Sequence, residues 1–360
     1  MSDAVALRCL VTAGAAHGLG HALRALEVAR AAAARGWEVA LAVRGDDAAR
    51  ALCAERLPAA RIESWDGPDA AARPARHLLF DTRDPIADEL RRGAAAGAHR
   101  VVLDRTDHLD DAELTVLPNL HGNGRRHPRL LQGGRWCVIP DELRALGPGT
   151  PAPGRSGVLV TLGGADPHDL TGALCEPLAR AIAASGADVG PVHVVIGRCF
   201  GPRPRLRRRL DALGFQAHDP LDRRALGALM QRAVFAVCGF GTTAYELAWF
   251  GTPALHLAHR AEDAPEAEAL EQIGVGAFGG AAPSLDAEAL ERRLLETVLD
   301  PAWRERRAAR ARALLGDGRG AERLVEAMQA ARGALARASD STSIIPGERD
   351  RFARAGGGRT

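Results

Sequence analysis

The chain passes from strand to helix through Thr12-Ala13-Gly14-Ala15-Ala16-His17-Gly18-Leu19-Gly20-His21. A mostly apolar run precedes this segment and a helix pattern follows it. Glycines at such a turn let the backbone approach a ligand closely, and the start of the helix offers free N–H groups to an anion. We therefore predict a binding turn at Gly18 and Gly20, with His21 acting there as an acid or base. A tight turn with a capping histidine is the structural alternative.

Two more turns of this design lie in the second half of the chain. The strand 157–162 leads into Gly163-Gly164-Ala165-Asp166-Pro167, and the strand 234–238 leads into Gly239-Phe240-Gly241-Thr242-Thr243. Both turns open helices. The hydroxyl and N–H groups of Thr242 and Thr243, at a helix start, are suited to hold a diphosphate without a metal.

Glu246 follows the third turn by about one helical turn. A carboxylate at that depth can accept two hydrogen bonds from a ribose diol. A glutamate near a helix start can instead stabilise that start. We favour the ribose contact.

Composition indicates a globular enzyme of two domains. The 360 residues exceed the usual size of a single core, and 46% are hydrophobic against 26% charged. The net charge of +2 implies neither nucleic acid nor an anionic membrane as partner. Apart from histidine, every basic residue is arginine, which excludes a Schiff-base or catalytic-lysine mechanism.

The six cysteines are scattered without Cys-x-x-Cys spacing, and several lie inside apolar runs. They are typical of small buried hydrophobes in a reducing compartment. We find no signal-peptide pattern and no apolar segment of membrane-spanning length. We therefore expect a cytoplasmic protein without integral membrane association.

Strands alternate with amphipathic helices along the chain, which specifies parallel sheets with helices on both faces. The Pro- and Gly-rich segment 148–156 has linker composition. We predict two Rossmann-like domains, 1–147 and 157–330, that face each other across a cleft and bind ligands at the carboxyl ends of their strands. Residues 334–360 are predicted to be a disordered tail. The predicted strands are 6–11, 38–43, 77–80, 100–103, 157–162, 192–196, one near Phe215, 234–238 and 254–257, and the predicted helices of the first domain are 22–35, 46–57 and 85–96.

Six motifs follow one another along residues 5–328. They are Gly-x-Gly-His-x-x-Arg (18–24), Val-Val-Leu-Asp (101–104), Leu-Leu-x-Gly with a following aromatic (130–136), Thr-Leu-Gly-Gly-Ala-Asp-Pro (161–167), Gly-x-Gly-Thr-Thr-x-Tyr-Glu-Leu with Gly-Thr-Pro (239–253) and Asp-Gly-x-Gly-Ala-x-Arg (317–323). This ordered series resembles the UDP-sugar hydrolases of pseudaminic acid biosynthesis, which cleave UDP-2,4-diacetamido-2,4,6-trideoxy-β-L-altropyranose. Those enzymes look like relatives of the N-acetylglucosaminyltransferase that makes lipid II. The resemblance implies a GT-B fold, a nucleotide-sugar ligand and chemistry that uses neither metal nor cofactor.

The resemblance also implies roles for single residues. His21 matches the essential histidine, expected to activate water or assist attack at the anomeric centre, and Arg24 belongs to the same motif. Thr242 and Thr243 match the diphosphate loop and Glu246 the ribose-binding glutamate. The remaining implied binding residues are Gly163, Gly164 and Asp166 in the second turn, Gly239 and Gly241 in the third, Arg198 and Phe215 where the uracil edge is received, and Asp104 and Asn119 on the sugar side. Turn and cap chemistry is an equal alternative for Asn119.

Three departures from the family pattern bear on the substrate. The segment 12–17 lacks the usual Arg-x-Asp-x-Ser, and Pro140 stands where arginine is usual. Glu262 and Asp263 replace an Asn-Gln pair. Two carboxylates beside a diphosphate repel it unless the substrate or an arginine such as Arg260 compensates them. We therefore expect a sugar other than the family's usual one.

His17 and His21 are four residues apart, a spacing that suits a metal only when both lie on one helix. The glycines between them indicate a loop, so no metal site is expected there. Three functions stay open: hydrolysis of a nucleotide sugar, transfer of its sugar to an acceptor, and binding without catalysis. Neither half shows a hydrophobic anchoring loop, which favours a small soluble substrate.

Overall fold

The protein forms two parallel α/β domains. The structure is a computed structural model that describes residues 5–14, 17–147, 149, 154–200 and 203–342, with side chains as far as 331. Each domain has one sheet in which every pairing between strands is parallel. The alternating pattern of the sequence predicted this architecture.

The N-terminal sheet has the order β3-β2-β1-β4-β5-β6-β7. Its strands are β1 (Val5–Ala13), β2 (Val39–Gly45), β3 (Arg61–Ser64), β4 (Ala75–Asp81), β5 (His99–Leu103), β6 (Leu114–Leu117) and β7 (Leu130–Gln132). Its helices are α1 (Gly20–Ala33), α2 (Asp47–Arg56), α3 (Asp69–Ala72) and α4 (Ala87–Ala95). The short helix α5 (Asp141–Arg144) comes next in the chain and packs against the C-terminal domain. The central strand β1 is apolar and buried along most of its length because helices cover both faces of the sheet.

The C-terminal sheet has the order β10-β9-β8-β11-β12-β13. Its strands are β8 (Val158–Thr161), β9 (Val192–Val195), β10 (Gln216–His218), β11 (Phe235–Gly239), β12 (Ala254–Ala258) and β13 (Ala277–Ala281). The helices that follow are α6 (Leu170–Ser185), α7 (Pro204–Ala212), α8 (Arg223–Arg232), α9 (Thr242–Trp249), α10 (Ala264–Gln272), α11 (Ala287–Glu296), α12 (Pro301–Leu315) and α13 (Gly320–Thr342).

In each sheet, the order of the strands runs outward in both directions from one inner strand. β1 lies between β2 and β4, and β8 lies between β9 and β11. A crevice opens at such a point, at the carboxyl ends of the strands, because the two following helices go to opposite faces. The turns after β1, β8 and β11, which the sequence singled out, lie at these two crevices.

The sequence missed four strands, all at or near sheet edges. β3, β6, β7 and β13 are three to five residues long, and β13 contains two glycines. Short edge strands carry little periodicity, so the sequence pattern does not separate them from loops. The strand predicted near Phe215 is β10, which begins one residue later.

The last helix corrects two predictions about the C-terminal end. α13 packs on α1, and Ala321, Leu324, Val325 and Met328 are buried in the core of the N-terminal domain. The predicted range of the C-terminal domain, 157–330, included residues 320–330. These residues instead pack on the N-terminal domain. The helix also continues to Thr342, through the first part of the predicted disordered tail, and 343–360 lie outside the described residues.

The return of the chain to the N-terminal domain depends on the motif 317–323. Asp317 accepts two hydrogen bonds of 2.6 Å from Arg323. Gly320 lies so close to the carbonyl oxygens of Trp136 and Cys137 that a Cβ there would be 2.3 Å from each. Only glycine fits this contact.

The predicted linker, 148–156, is described only in part. Within it, Arg155 donates hydrogen bonds to the carbonyl oxygens of Ala233 and Phe250 and to Thr252, all in the C-terminal domain. None of the helices in the described part of the chain is long and apolar enough to cross a membrane.

Candidate active site

A cleft of ≈ 330 Å³ lies between the domains, where the three glycine-rich turns converge. The turns touch one another. A Cβ added to Gly20 would lie 3.7 Å from Thr242 Oγ1, and a Cβ added to Gly164 would lie 3.2 Å from Leu19 Cδ1. The turn after β1 therefore packs directly on those after β8 and β11. The predicted site residues that line the cleft are Gly18, Gly20, His21, Arg24, Asp104, Gly163, Gly164, Arg198, Gly239, Gly241, Thr242, Thr243 and Glu246.

His21 is held by a carboxylate that sequence reasoning missed. Its Nδ1 lies 2.7 Å from Oδ1 of Asp81, the last residue of β4. Because β4 pairs directly with β1, the end of β4 lies beside the turn after β1. His21 keeps 15% of its side chain exposed, whereas Asp81 has none. The imidazole therefore faces the cleft with a buried carboxylate behind it.

Arg24 completes this group. Its guanidinium donates two hydrogen bonds to Asp81, of 2.8 and 2.7 Å, and one of 2.9 Å to Asp104. Burial opposes ionisation of Asp81, but Arg24 and His21 outweigh it and hold the pKa of the carboxyl well below its ordinary value. Asp81 is therefore a fixed negative charge behind His21.

His17 does not share the environment of His21. Its Nε2 lies 3.7 Å from Asp84, and it belongs to a loop closed by the backbone bridge between Gly14 and Gly18. The two histidines thus have different carboxylate partners and do not lie on one helix. No group of three or more His, Cys, Asp or Glu side chains suited to a metal occurs in the described ranges.

The N-terminus of α9 is open to the cleft. The helix begins at Thr242, after Gly241 with its φ of 154°, and no side chain caps it. Uncapped N–H groups at a helix start attract an anion. Thr242 and Thr243 both line the cleft at this point, so hydroxyl groups lie beside the free N–H groups.

Glu246 lies on α9 and is 8% exposed. Its Oε1 accepts a 2.9 Å hydrogen bond from Arg223, a cleft residue that the sequence did not reveal. Burial raises the pKa of the Glu246 carboxyl, and Arg223 opposes this rise. The alternative role as a cap of its own helix is not seen, because no side chain caps α9.

The two acidic departures from the family pattern differ in placement. Asp263 is 6% exposed, lines the cleft, and pairs with Arg83 of the N-terminal domain and with Arg260. Glu262 is mostly exposed and lies 3.8 Å from Arg260. Arginines therefore compensate Asp263, and its pair with Arg83 joins the two domains across the cleft.

A third acidic residue of this region, Glu266, also lines the cleft. Burial and the nearby charge of Asp104 raise the pKa of its carboxyl to about 7. The other cleft carboxylates, Asp104, Glu246 and Asp263, each pair with an arginine, whereas Glu266 has no ion pair among the described residues. Its position on the helix after Glu262-Asp263 was the only sequence signal for it.

Three predicted binding residues have structural roles instead. Asp166 is 1% exposed and accepts hydrogen bonds from the N–H groups of Leu170 and Thr171 and from the Thr171 hydroxyl. It thus caps the start of α6 and is not among the residues that line the cleft. Phe215 is buried in the core of the C-terminal domain, away from the cleft lining. Asn119 closes a turn by accepting a 2.8 Å hydrogen bond from Gly122, the alternative role weighed for it.

One end of the cleft is apolar and belongs mainly to the C-terminal domain. It is formed by Val195 and Ile196 after β9, with Arg198 exposed beside them. Further apolar side chains at this end are Leu143, Leu221, Leu226 and Met230. A planar base can pack on such a surface while its edge meets backbone groups.

No known protein-family profile matches the chain, and no curated protein matches it in sequence. Solved structures do match. MurG of Acinetobacter baumannii has a TM-score of 0.63 at 14% identity, over 90% of this chain and 99% of its own. The UDP-GlcNAc 2-epimerase of Neisseria meningitidis bound to UDP-GlcNAc has a TM-score of 0.59 at 11% identity, over 90% of this chain and 99% of its own. CalG4, the calicheamicin glycosyltransferase, has a TM-score of 0.59 at 16% identity, over 92% of this chain and 99% of its own. The chain therefore has the GT-B fold, as the motif series implied.

Proposed function

We propose that this protein is a metal-independent enzyme that hydrolyses a UDP-linked sugar to UDP and the free sugar. One observation carries the proposal. His21, with Nδ1 on the buried carboxylate of Asp81, lies in a turn that packs against the helix start at Thr242. A base is thereby placed next to an anion site, as cleavage at the carbon that bears a diphosphate requires.

The cleft offers a place for each part of a UDP-sugar. The diphosphate fits the N-terminus of α9, with Thr242 and Thr243 as hydroxyl donors. Glu246 lies where a ribose diol follows the diphosphate, and the apolar end near Ile196 accepts the base. The sugar then occupies the space between His21 and Glu266. That the Neisseria meningitidis epimerase of the same fold was solved with UDP-GlcNAc supports this class of ligand.

In the proposed reaction His21 acts as a general base. Asp81 accepts the Nδ1–H, which leaves the Nε2 lone pair for the cleft. Nε2 takes a proton from water as the water oxygen bonds to the anomeric carbon. The bond from that carbon to the diphosphate oxygen breaks, and UDP leaves with the electron pair. Asp81 stabilises the imidazolium that forms.

Transfer to an acceptor is the second candidate. The same base can deprotonate an acceptor hydroxyl in place of water, and the similarity in fold to CalG4, a glycosyltransferase, favours keeping this alternative. Non-catalytic binding is the third. The buried charge of Asp81 behind His21 argues against it, because binding alone has no use for an oriented base.

The test is to incubate the protein with UDP-, GDP-, CDP- and dTDP-sugars, with and without acceptors. Release of UDP without an acceptor supports hydrolysis, release only with an acceptor means transfer, and binding without release means neither enzyme. His21→Ala should lower turnover about a hundredfold or more with nearly unchanged affinity for UDP, since a general base acts on the transition state. Turnover near that of the wild type in His21→Ala would contradict the catalytic role.

A further inference from the structure

The pair formed by Arg223 and Glu246 lies at the nucleotide end of the cleft. Arg223 Nη1 is 2.9 Å from Glu246 Oε1, and each side chain is 11% exposed. No described residue donates to the second oxygen, Oε2. One oxygen of the carboxylate is thus occupied and the other is available to a ligand.

The position of Arg223 is fixed by local structure. It is the first residue of α8, directly after Asp222, whose carboxylate accepts the N–H of Ala225 at 2.7 Å and so caps the helix. Its Nε also lies 3.8 Å from Glu142, which is 3.4 Å from Arg56 of the N-terminal domain. A capped helix start and a second carboxylate therefore hold the guanidinium in place.

We propose that Arg223 is a positioning residue, which holds Oε1 of Glu246 so that the ionised carboxylate presents Oε2 to the ribose hydroxyls. This inference rests on the proposed function, since it assigns a partner to the ribose-binding glutamate. A neutral carboxyl accepts hydrogen bonds from a diol less strongly than a carboxylate does. The role of Arg223 is thus to keep Glu246 charged at a site from which water is largely excluded.

The charges around Glu246 make Arg223 the important partner. Burial is the main cause that raises the pKa of the Glu246 carboxyl, and Glu27 on α1 raises it further. Glu27 is itself paired with Arg30 at 2.7 Å. Burial and, less strongly, the charge of Glu246 raise the pKa of the Cys238 thiol on β11, so this thiol stays neutral. Among the residues that the structure describes, Arg223 is then the one that lowers the pKa of Glu246.

The experiment measures the binding of UDP and of 2′,3′-dideoxy-UDP to the full-length protein by calorimetry, at a mildly acidic and a mildly alkaline pH. We expect Arg223→Met to weaken UDP about tenfold or more, as the loss of a charge-assisted hydrogen bond predicts, and to weaken it further at the acidic pH. Binding of the dideoxy nucleotide should change little at either pH. Arg223→Lys should restore part of the affinity. Arg224→Met, at the exposed next residue, is the matched control and should bind UDP like the wild type.

Equal weakening of both nucleotides in Arg223→Met would overturn the inference, because it would place Arg223 on the diphosphate or in the fold alone. Unchanged binding of UDP in a folded Arg223→Met protein would overturn it as well. Failure of the wild type to bind any nucleoside diphosphate would instead refute the proposed function. The two failures are therefore distinguishable.

Discussion

Replacing Asp81 by Asn tests whether His21 works as an oriented base. Asp81 accepts three hydrogen bonds, of 2.7 Å from His21 and of 2.8 and 2.7 Å from Arg24. Asparagine keeps one acceptor oxygen but removes the charge that stabilises an imidazolium. A hydrogen bond to a charged group contributes roughly 1.5–3 kcal/mol, which corresponds to about a 10- to 150-fold loss of turnover.

Stability should fall less than for most buried ion pairs, because Arg24 keeps its 2.9 Å hydrogen bond to Asp104. We expect Asp81→Asn to lower the free energy of unfolding by about 1–3 kcal/mol. Urea titration measures this loss, and turnover should be assayed below the temperature at which the variant unfolds. Affinity for UDP should stay within about twofold of the wild type, since the proposed binding mode puts Asp81 beside the sugar and not beside UDP.

The double variant Asp81→Asn, His21→Asn provides the sharpest outcome. If Asp81 acts through His21, the double variant should be no slower than His21→Asn alone. Losses that multiply would show that the two residues act independently. Turnover at the wild-type level in Asp81→Asn would refute the mechanism outright.

Two further predictions concern other cleft residues. His17→Ala should change turnover by less than about threefold, because His17 pairs with Asp84 and not with Asp81. Steady-state kinetics of His17→Ala and His21→Ala, measured side by side, test this. Equal losses of turnover in the two variants would support a paired-histidine site. Glu266 has its pKa raised from 4.5 to about 7, so the stability that it contributes is present below pH 4.5 and is lost as pH rises toward 7. Glu266→Gln should therefore be as stable as the wild type near pH 4. Above about pH 8 it should be more stable, by of order 1 kcal/mol after allowance for solvent screening. Urea titrations at the two pH values measure this, and equal stability at the higher pH would contradict the raised pKa of Glu266.

The three turns and the residues on them could be predicted from the sequence because their signals are local. Gly20-His21 and Thr242-Thr243 each combine a strand end, glycines and a helix start within a few residues. Such a combination indicates both the fold and the edge of the sheet at which a ligand binds. The GT-B architecture followed from the order of these motifs.

Asp81 and Arg223 could not be predicted in this way. Asp81 lies 60 residues from His21, and only the pairing of β4 with β1 brings the two side chains together. Arg223 approaches Glu246 from α8, over 23 residues. Many charged residues follow strands or begin helices, so sequence alone does not select these two. Conversely, Asp166 lies in a motif that also contains structural residues, and Phe215 was assigned to the uracil edge by resemblance alone. Neither kind of assignment separates a helix cap or a core side chain from a ligand contact.

The return of α13 to the N-terminal domain restricts how the cleft can open. The chain crosses between the domains twice, once just before α5, which packs on α8 of the C-terminal domain, and once just before α13. The two crossings lie side by side, because the Ile139 N–H donates to the Gly318 carbonyl oxygen and the Gly320 N–H to that of Cys137, each at 3.1 Å. The domains are therefore joined at one place by two paired segments, and opening the cleft bends both segments together. A single proteolytic cut within 148–156 would leave the domains joined, and an N-terminal fragment without α13 would expose the surface that Leu324 and Met328 cover.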